Sequence, residues 1–166
     1  PCIRGGGTVS LSGGGHVEAV GSTVLSAGGS AVSRASGASI LALGLISRAA
    51  GATIGFGAGG LATASNTNDV TGILGAWAAL GGADFAAVDV ASNVVVYAGY
   101  TGGNLGDGGV GSDPALNMKP DGAQTSLSSP KSFHTLNLPP GINVAMSGGG
   151  ALTLAGGGLI CNGAGA

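Results

Sequence analysis

The side chains able to do chemistry are few and thinly spread. The chain of 166 residues holds two histidines, His16 and His134, two cysteines, Cys2 and Cys161, and seven acidic against five basic residues. Polysaccharide cleavage or calcium binding on a β-scaffold needs clustered carboxylates, either as an acid/base pair or as oxygen ligands. The available sets are Asp84 with Asp89, and Asp107, Asp113 and Asp121. Asp84 and Asp89 differ by an odd number of positions, so a flat strand puts them on opposite faces. The other three stand in Asp107-Gly108, Asp113-Pro114 and Asp121-Gly122, turn motifs that favour Asp because its carboxylate bonds the local backbone. Arg4, Arg34, Arg48, Lys119 and Lys131 are scattered. His134 sits in an alternating stretch with Leu136 and Leu138, the setting of a hydrogen-bonded strand residue rather than a general base. Serine is abundant enough that a Ser-His-Asp grouping carries no information. No His/Cys cluster has metal spacing. Gly55-Phe56-Gly57-Ala58-Gly59-Gly60 satisfies G-x-G-x-x-G. A dinucleotide site also needs a following helix whose N-terminus faces the pyrophosphate, and Leu61–Asn66 does not read as one. No catalytic residue, cofactor or metal is expected.

Composition narrows the setting. Glycine contributes 37 residues, and charged residues only 7%, against about 25% in an ordinary soluble domain. Glycine costs about 1 kcal/mol at each helical position, which excludes coiled coils and long bundles. A hydrophobic fraction of 44% excludes the usual disordered segment, which is polar and highly charged. Five basic residues and a net charge of −2 cannot supply the phosphate contacts of nucleic-acid binding. The apolar stretches near Ile40–Ile46 and Ile73–Val90 are broken by Gly, Ser or Asp, short of the ~20 residues of a spanning helix. Neither nucleic acid nor membrane insertion is expected. Pro1 at the start and the Gly-rich stop read as the ends of a processed product or a piece of a longer chain.

Positioning falls to short strands. Thr8–Leu11, Thr23–Ser26, Ser39–Leu43, Ala52–Phe56, Phe133–Leu138, Leu152–Leu154 and Leu159–Cys161 alternate with period two between glycine corners. Their regular spacing and small outward residues predict stacked parallel rungs of roughly 20 to 25 residues, a β-solenoid of about four to five rungs. A sandwich or barrel is the other all-β solution. The whole chain, 1–166, reads as one domain with an inserted hairpin and loop over 66–131. In that insert Ala76–Leu80 and Ala83–Val88 form a hairpin across Gly81-Gly82, Val94–Tyr97 is a strand, and Gly102–Pro130 is a long loop. Trp77, Phe85, Tyr97 and Tyr100 form either a small core beneath that loop or a contact surface for a sugar or a partner. Cys2 and Cys161 are either small thiols or disulfide partners. The ends of a stacked fold lie far apart, and a disulfide needs Cα atoms within about 7 Å, so a bond between chains at a junction is one option and an intramolecular bond another.

The order Leu45–Phe56, Asn66-Thr67-Asn68, Gly72-Ile73-Leu74-Gly75-Ala76-Trp77-Ala78, Ala83–Ala86 and Val94–Tyr97, with the tail Leu136–Leu138 through Leu152–Leu159, resembles bacterial secreted surface proteins with autotransporter-associated β-strand repeats. The resemblance covers two thirds of the chain. It implies a right-handed parallel β-helix outside the cell or on its surface, with structural or adhesive work and no catalytic residues. Together with the low charge and uncapped ends, this leads to the expectation of a filament or surface-fibre subunit that stacks end to end on copies of itself. A stalk segment of a large adhesin is the variant within that class. A carbohydrate-binding or carbohydrate-cleaving β-helix, with surface glycans as partner, is the rival from another.

Overall fold

The computed structural model describes residues 2–162, with side chains from residue 5 onward. Those residues form strands and turns without a helix. They make a parallel β-solenoid of about 7 turns, divided into two compact units, Pro1–Tyr97 and Ala98–Ala166.

In the first unit each turn of chain gives one strand to each of three sheets. The first turn supplies β1 (Cys2–Arg4), β2 (Gly7–Leu11) and β3 (Val17–Ala19). The second supplies β4 (Ser22–Leu25), β5 (Gly28–Arg34) and β6 (Ile40–Ala42), and the third β7 (Leu45–Arg48), β8 (Ala52–Phe56) and β9 (Ala62–Thr63). Pairing is parallel throughout, from Cys2 on Thr23 and Thr8 on Ala31 to Gly28 on Ala52. Like positions are stacked by this register, so several apolar side chains meet an apolar counterpart one turn on. Val9, Val32 and Phe56 form one such column, and Val32 and Phe56 are buried with Leu25, Ile46 and Ile54. The corners let backbones touch. At Gly44, whose φ is +60, an added Cβ would overlap the Gly21 carbonyl, so no other residue fits that stacked corner.

The sheet containing β2, β5 and β8 continues past the third turn. β10 (Ala78–Leu80) adds in parallel to β8. The chain then reverses at Gly81-Gly82, with φ of +64 and +69, the conformation a tight hairpin demands. β11 (Asp84–Val88) and β12 (Val94–Val96) follow antiparallel. The sheet of β1, β4 and β7 ends differently. The Asn66 side chain takes the place of a fourth strand: Ile46 N–H donates to its Oδ1 at 2.7 Å, and its Nδ2 donates to the Ile46 carbonyl at 2.9 Å. Asn68 treats Val88 in the same way, at 2.7 and 2.9 Å.

The second unit is built around β13 (Asp113–Met118), β14 (Lys131–Leu138) and β15 (Leu152–Cys161), a parallel sheet in that order. Its register shifts between Asp113 and Asn117 and between Phe133 and Thr135. Parallel bridges at Thr101–Met118 and Leu127–Met146 extend the coil to either side of these strands. Leu105, Met118, Phe133 and Leu136 form the core.

The turn count corrects the expected four to five rungs. The stretch 66–131, expected as an insertion, holds β10 to β13 and the Thr101 bridge, so turns fall within it as well as in the flanks. Its rungs went uncounted because polar side chains tie them together, and polar residues between glycines read as loop.

Candidate functional site

Three chemistry-bearing side chains do come together. His16 Nε2 lies 3.0 Å from Glu18 Oε1, and Ser39 Oγ lies 3.1 Å from His16 Nδ1. Acid, imidazole and hydroxyl in line is the order of a nucleophilic triad. The surroundings rule against that use. Ser39 is 0% exposed, its hydroxyl also contacts the Gly14 carbonyl, and its own carbonyl accepts two bonds from Arg34, at 2.9 and 2.6 Å. A nucleophile must reach its substrate. This serine is enclosed and fastens one turn of the coil to the next. His134 is half-buried on β14, its ring close against Gly156 of β15.

The carboxylates are also engaged in holding backbone. Asp89 Oδ1 accepts from the Ala91 and Asn93 amides at 2.9 and 2.8 Å, and Asn93 holds its carboxyl below the usual range. Asp113 Oδ1 accepts from the Ala115 amide at 2.9 Å. Asp121 and Asp107 reach across turns. Asp121 Oδ1 accepts from the Gly103 amide at 3.0 Å, and Asp107 Oδ2 accepts from the Ser128 amide at 3.0 Å and from the Ser128 hydroxyl. The Ser128 bond is the main reason that the Asp107 carboxyl sits below its ordinary value, with the charge of Lys131 adding to it. Among the described residues no three His, Cys, Asp or Glu gather as a metal site would require.

Other polar side chains in the second unit do similar work. Gln124 Oε1 accepts from the Leu105 amide at 2.6 Å. Asn104 Oδ1 accepts from the Gly106 and Thr125 amides at 2.8 and 3.1 Å. Lys131 Nζ donates to the Gly106 and Val110 carbonyls, both at 2.7 Å.

Three of the four aromatic residues lie in the first unit and Tyr100 in the second. Phe85 is buried. Trp77 is half-buried against the first core, with Arg48 over its ring at 5.8 Å and Gly75 close to its Nε1. Tyr97 lies against Gly72 and its hydroxyl donates to the Thr71 carbonyl at 3.0 Å. Tyr100 belongs to the second unit, where Lys119 Nζ lies 5.1 Å from its ring. The Cys2 side chain lies outside the described residues. Cys161 carries an exposed free thiol.

Each unit has a surface cavity near these side chains. A polar cleft of about 350 Å³ in the first unit is lined by Ser65, Asn66, Thr67, Asn68 and Asp89 among others. The Asn66 and Asn68 amides there are occupied by Ile46 and Val88. The second cavity is a groove of about 370 Å³ beside β14 and β15, lined by Leu136, Leu138, Val144, Met146, Leu154 and Leu159 among others. Leu159 and Met146 are each 55% exposed. Leu136 belongs to the core, with Leu138, Val144 and Leu154 packed on it, so among the described residues the groove is an open part of the inner face of the last described turn. No described strand lies beyond β15 in its sheet. Sequence reading marked these strands but not this opening. The available signal was the run 132–162, which holds no Asp, Glu, Lys or Arg.

No protein-family model matches the chain, no curated protein matches it, and no solved structure matches it.

Proposed function

We propose that this protein is an extracellular structural protein whose copies assemble end to end through the ends of the β-solenoid, forming a filament or surface fibre. The observation that carries this reading is the last described turn of the second unit: among the described strands β15 is the edge of its sheet, and an apolar groove opens beside it. A long edge strand without charge is a template for another chain, and proteins that stay monomeric blunt such edges with lysine, proline or a covering segment. The strand Leu152–Cys161 contains none of these residues. The enclosed Ser39 adds support, because its buried hydroxyl offers no reacting group to a substrate. The coil is read as right-handed, the hand that parallel crossover connections take in about 98% of cases.

A stalk segment of a large adhesin or autotransporter passenger is the second reading, favoured by the resemblance to β-strand-repeat surface proteins. A sugar-binding reading has less behind it. Carbohydrate recognition commonly stacks a ring on an open aromatic face, whereas Arg48 and Lys119 lie over Trp77 and Tyr100.

Negative-stain electron microscopy of the full chain, over a range of concentrations, tests the proposal. Unbranched filaments with an axial repeat of a few nanometres are expected. Isolated particles at every concentration would overturn it.

A further inference from the structure

β15 has two halves, and the bend between them matches another edge of the same molecule. It is ten residues long, and it turns at Gly157, whose φ is +74. β1 and β2, with Gly5 and Gly6 between them, span Cys2–Leu11, a stretch of the same length. Both are edge strands of their sheets, and their bend falls at Gly6 and Gly7, with φ of +92 and +107.

Laid parallel with Leu152 opposite Cys2 and Cys161 opposite Leu11, the two spans agree in two independent ways. Gly157 comes opposite Gly7, so a left-handed glycine stands at the same place in each span, with Gly156 opposite Gly6. The in-and-out pattern coincides as well. Val9 packs on the first core and Leu11 belongs to it; opposite Val9 stands Leu159, which lines the open groove. Ser10, which is exposed, comes opposite Ile160, whose register partner on β14 is Asn137 rather than a groove residue. Shifting the register by one residue would exchange the two faces. Both spans are poor in charge: the only charged residue in either is Arg4, opposite Leu154.

We infer that β15 of one copy pairs in parallel with β1 and β2 of a second copy in this register, and that Val9 of the second copy covers Leu159 and the groove behind it. The inference rests on the end-to-end reading above and specifies its junction. Within one chain Leu136 pairs with Leu159, and Val9 stacks on Val32 and Phe56. The junction joins those two columns into one. It also fixes the relation of the cysteines. Cys2 of one copy and Cys161 of the other stand at opposite ends of the strand pair, about 30 Å apart along the bent strand and well beyond the ~7 Å a disulfide spans, so no disulfide between them links the copies.

Engineered cross-links test the register. In the full chain carrying Cys2→Ser and Cys161→Ser, the pair Ser10→Cys with Ile160→Cys places thiols on neighbouring strands about 4.8 Å apart, within disulfide reach. Mild oxidation is expected to give a ladder of covalent multimers on a non-reducing gel. The pair Ser10→Cys with Thr153→Cys, displaced by about 23 Å along the strand, is expected to stay monomeric on the same gel. Leu159→Lys is expected to abolish assembly while circular dichroism and Trp77 fluorescence stay as in the parent. Filaments that form without the Ser10–Ile160 link, or an Ile160→Cys variant that links to itself, would overturn the register and leave end-to-end assembly standing. Absence of any assembly in the parent would overturn both.

Discussion

Val9, Val32 and Phe56 stack through three turns of the first unit. In the second unit, the corresponding task of joining turn to turn falls largely to Asp107, Asp121, Gln124, Asn104 and Lys131, each bonding backbone 18 to 25 positions away. Both units wind a parallel coil, but the first is held by a continuous apolar column and the second by polar side chains around the smaller core of Leu105, Met118, Phe133 and Leu136. The difference shows that register in a coil of this kind needs a repeated contact, not a particular chemistry. Apolar stacking does not titrate, and dilute salt does not screen it. A carboxylate ladder responds to both pH and salt.

The largest test of this contrast is to remove the column. Phe56→Ala deletes a fully buried ring and is expected to lower stability by about 3–5 kcal/mol. Denaturant unfolding followed at Trp77, which packs on the same core, would measure it. A loss below about 1 kcal/mol would mean that the column does not hold the first unit.

Acid should separate the units next. The Asp107 carboxyl sits below its ordinary value of 3.8, chiefly through Ser128. A carboxyl lowered on folding stabilises fully above its unfolded value, and that contribution disappears as pH falls through the folded one. Asp107→Asn should therefore cost stability at neutral pH, and its gap from the parent should close as pH is taken from 5 to 2. Thermal unfolding across that range reads the gap, and a constant gap would contradict the role given to the carboxylate. Asp89 in the first unit is held down as well, but by Asn93 and Ala91 of its own turn, so its protonation loosens one corner without separating two turns.

The smallest effect is expected at Ser30. Its hydroxyl is buried without a hydrogen-bond partner, within a sheet otherwise packed by apolar residues. An unsatisfied buried hydroxyl costs about 1–3 kcal/mol, and Ser30→Ala should recover roughly 1 kcal/mol of it in calorimetry. A clear loss would show that the hydroxyl is satisfied within the folded protein.

The same contrast explains what the sequence disclosed. Alternation between glycine corners is the direct imprint of an apolar column, so Thr23-Val24-Leu25 and Ala52–Phe56 read as strands and are strands. Gly81-Gly82 announced its hairpin because two consecutive left-handed residues are nearly diagnostic of that turn. The stretch Gly102–Pro130 read as loop because Asp, Asn, Gln and Thr between glycines are also ordinary turn chemistry. Nothing in Asp107 reveals that its partner is Ser128, since a bond between turns has no period-two signature. The end groove was hidden for a related reason. Leu152, Leu154 and Leu159 look alike whether a further turn covers them or not.

The seating of the basic side chains bears on how long such a protein would last among proteases. Arg34 is bonded to the Ser39 carbonyl, Arg48 lies on Trp77, Lys119 on Tyr100, and Lys131 is bonded to Gly106 and Val110. A protease that cuts after Lys or Arg must draw the side chain into its own pocket and the flanking backbone into an extended strand, which requires local opening first. At these four sites the side chain is already engaged, and 7% charge leaves few others. The scarcity of charge that leaves the last described turn apolar would thus also deny trypsin-like enzymes a foothold, giving the coil endurance from its own backbone packing.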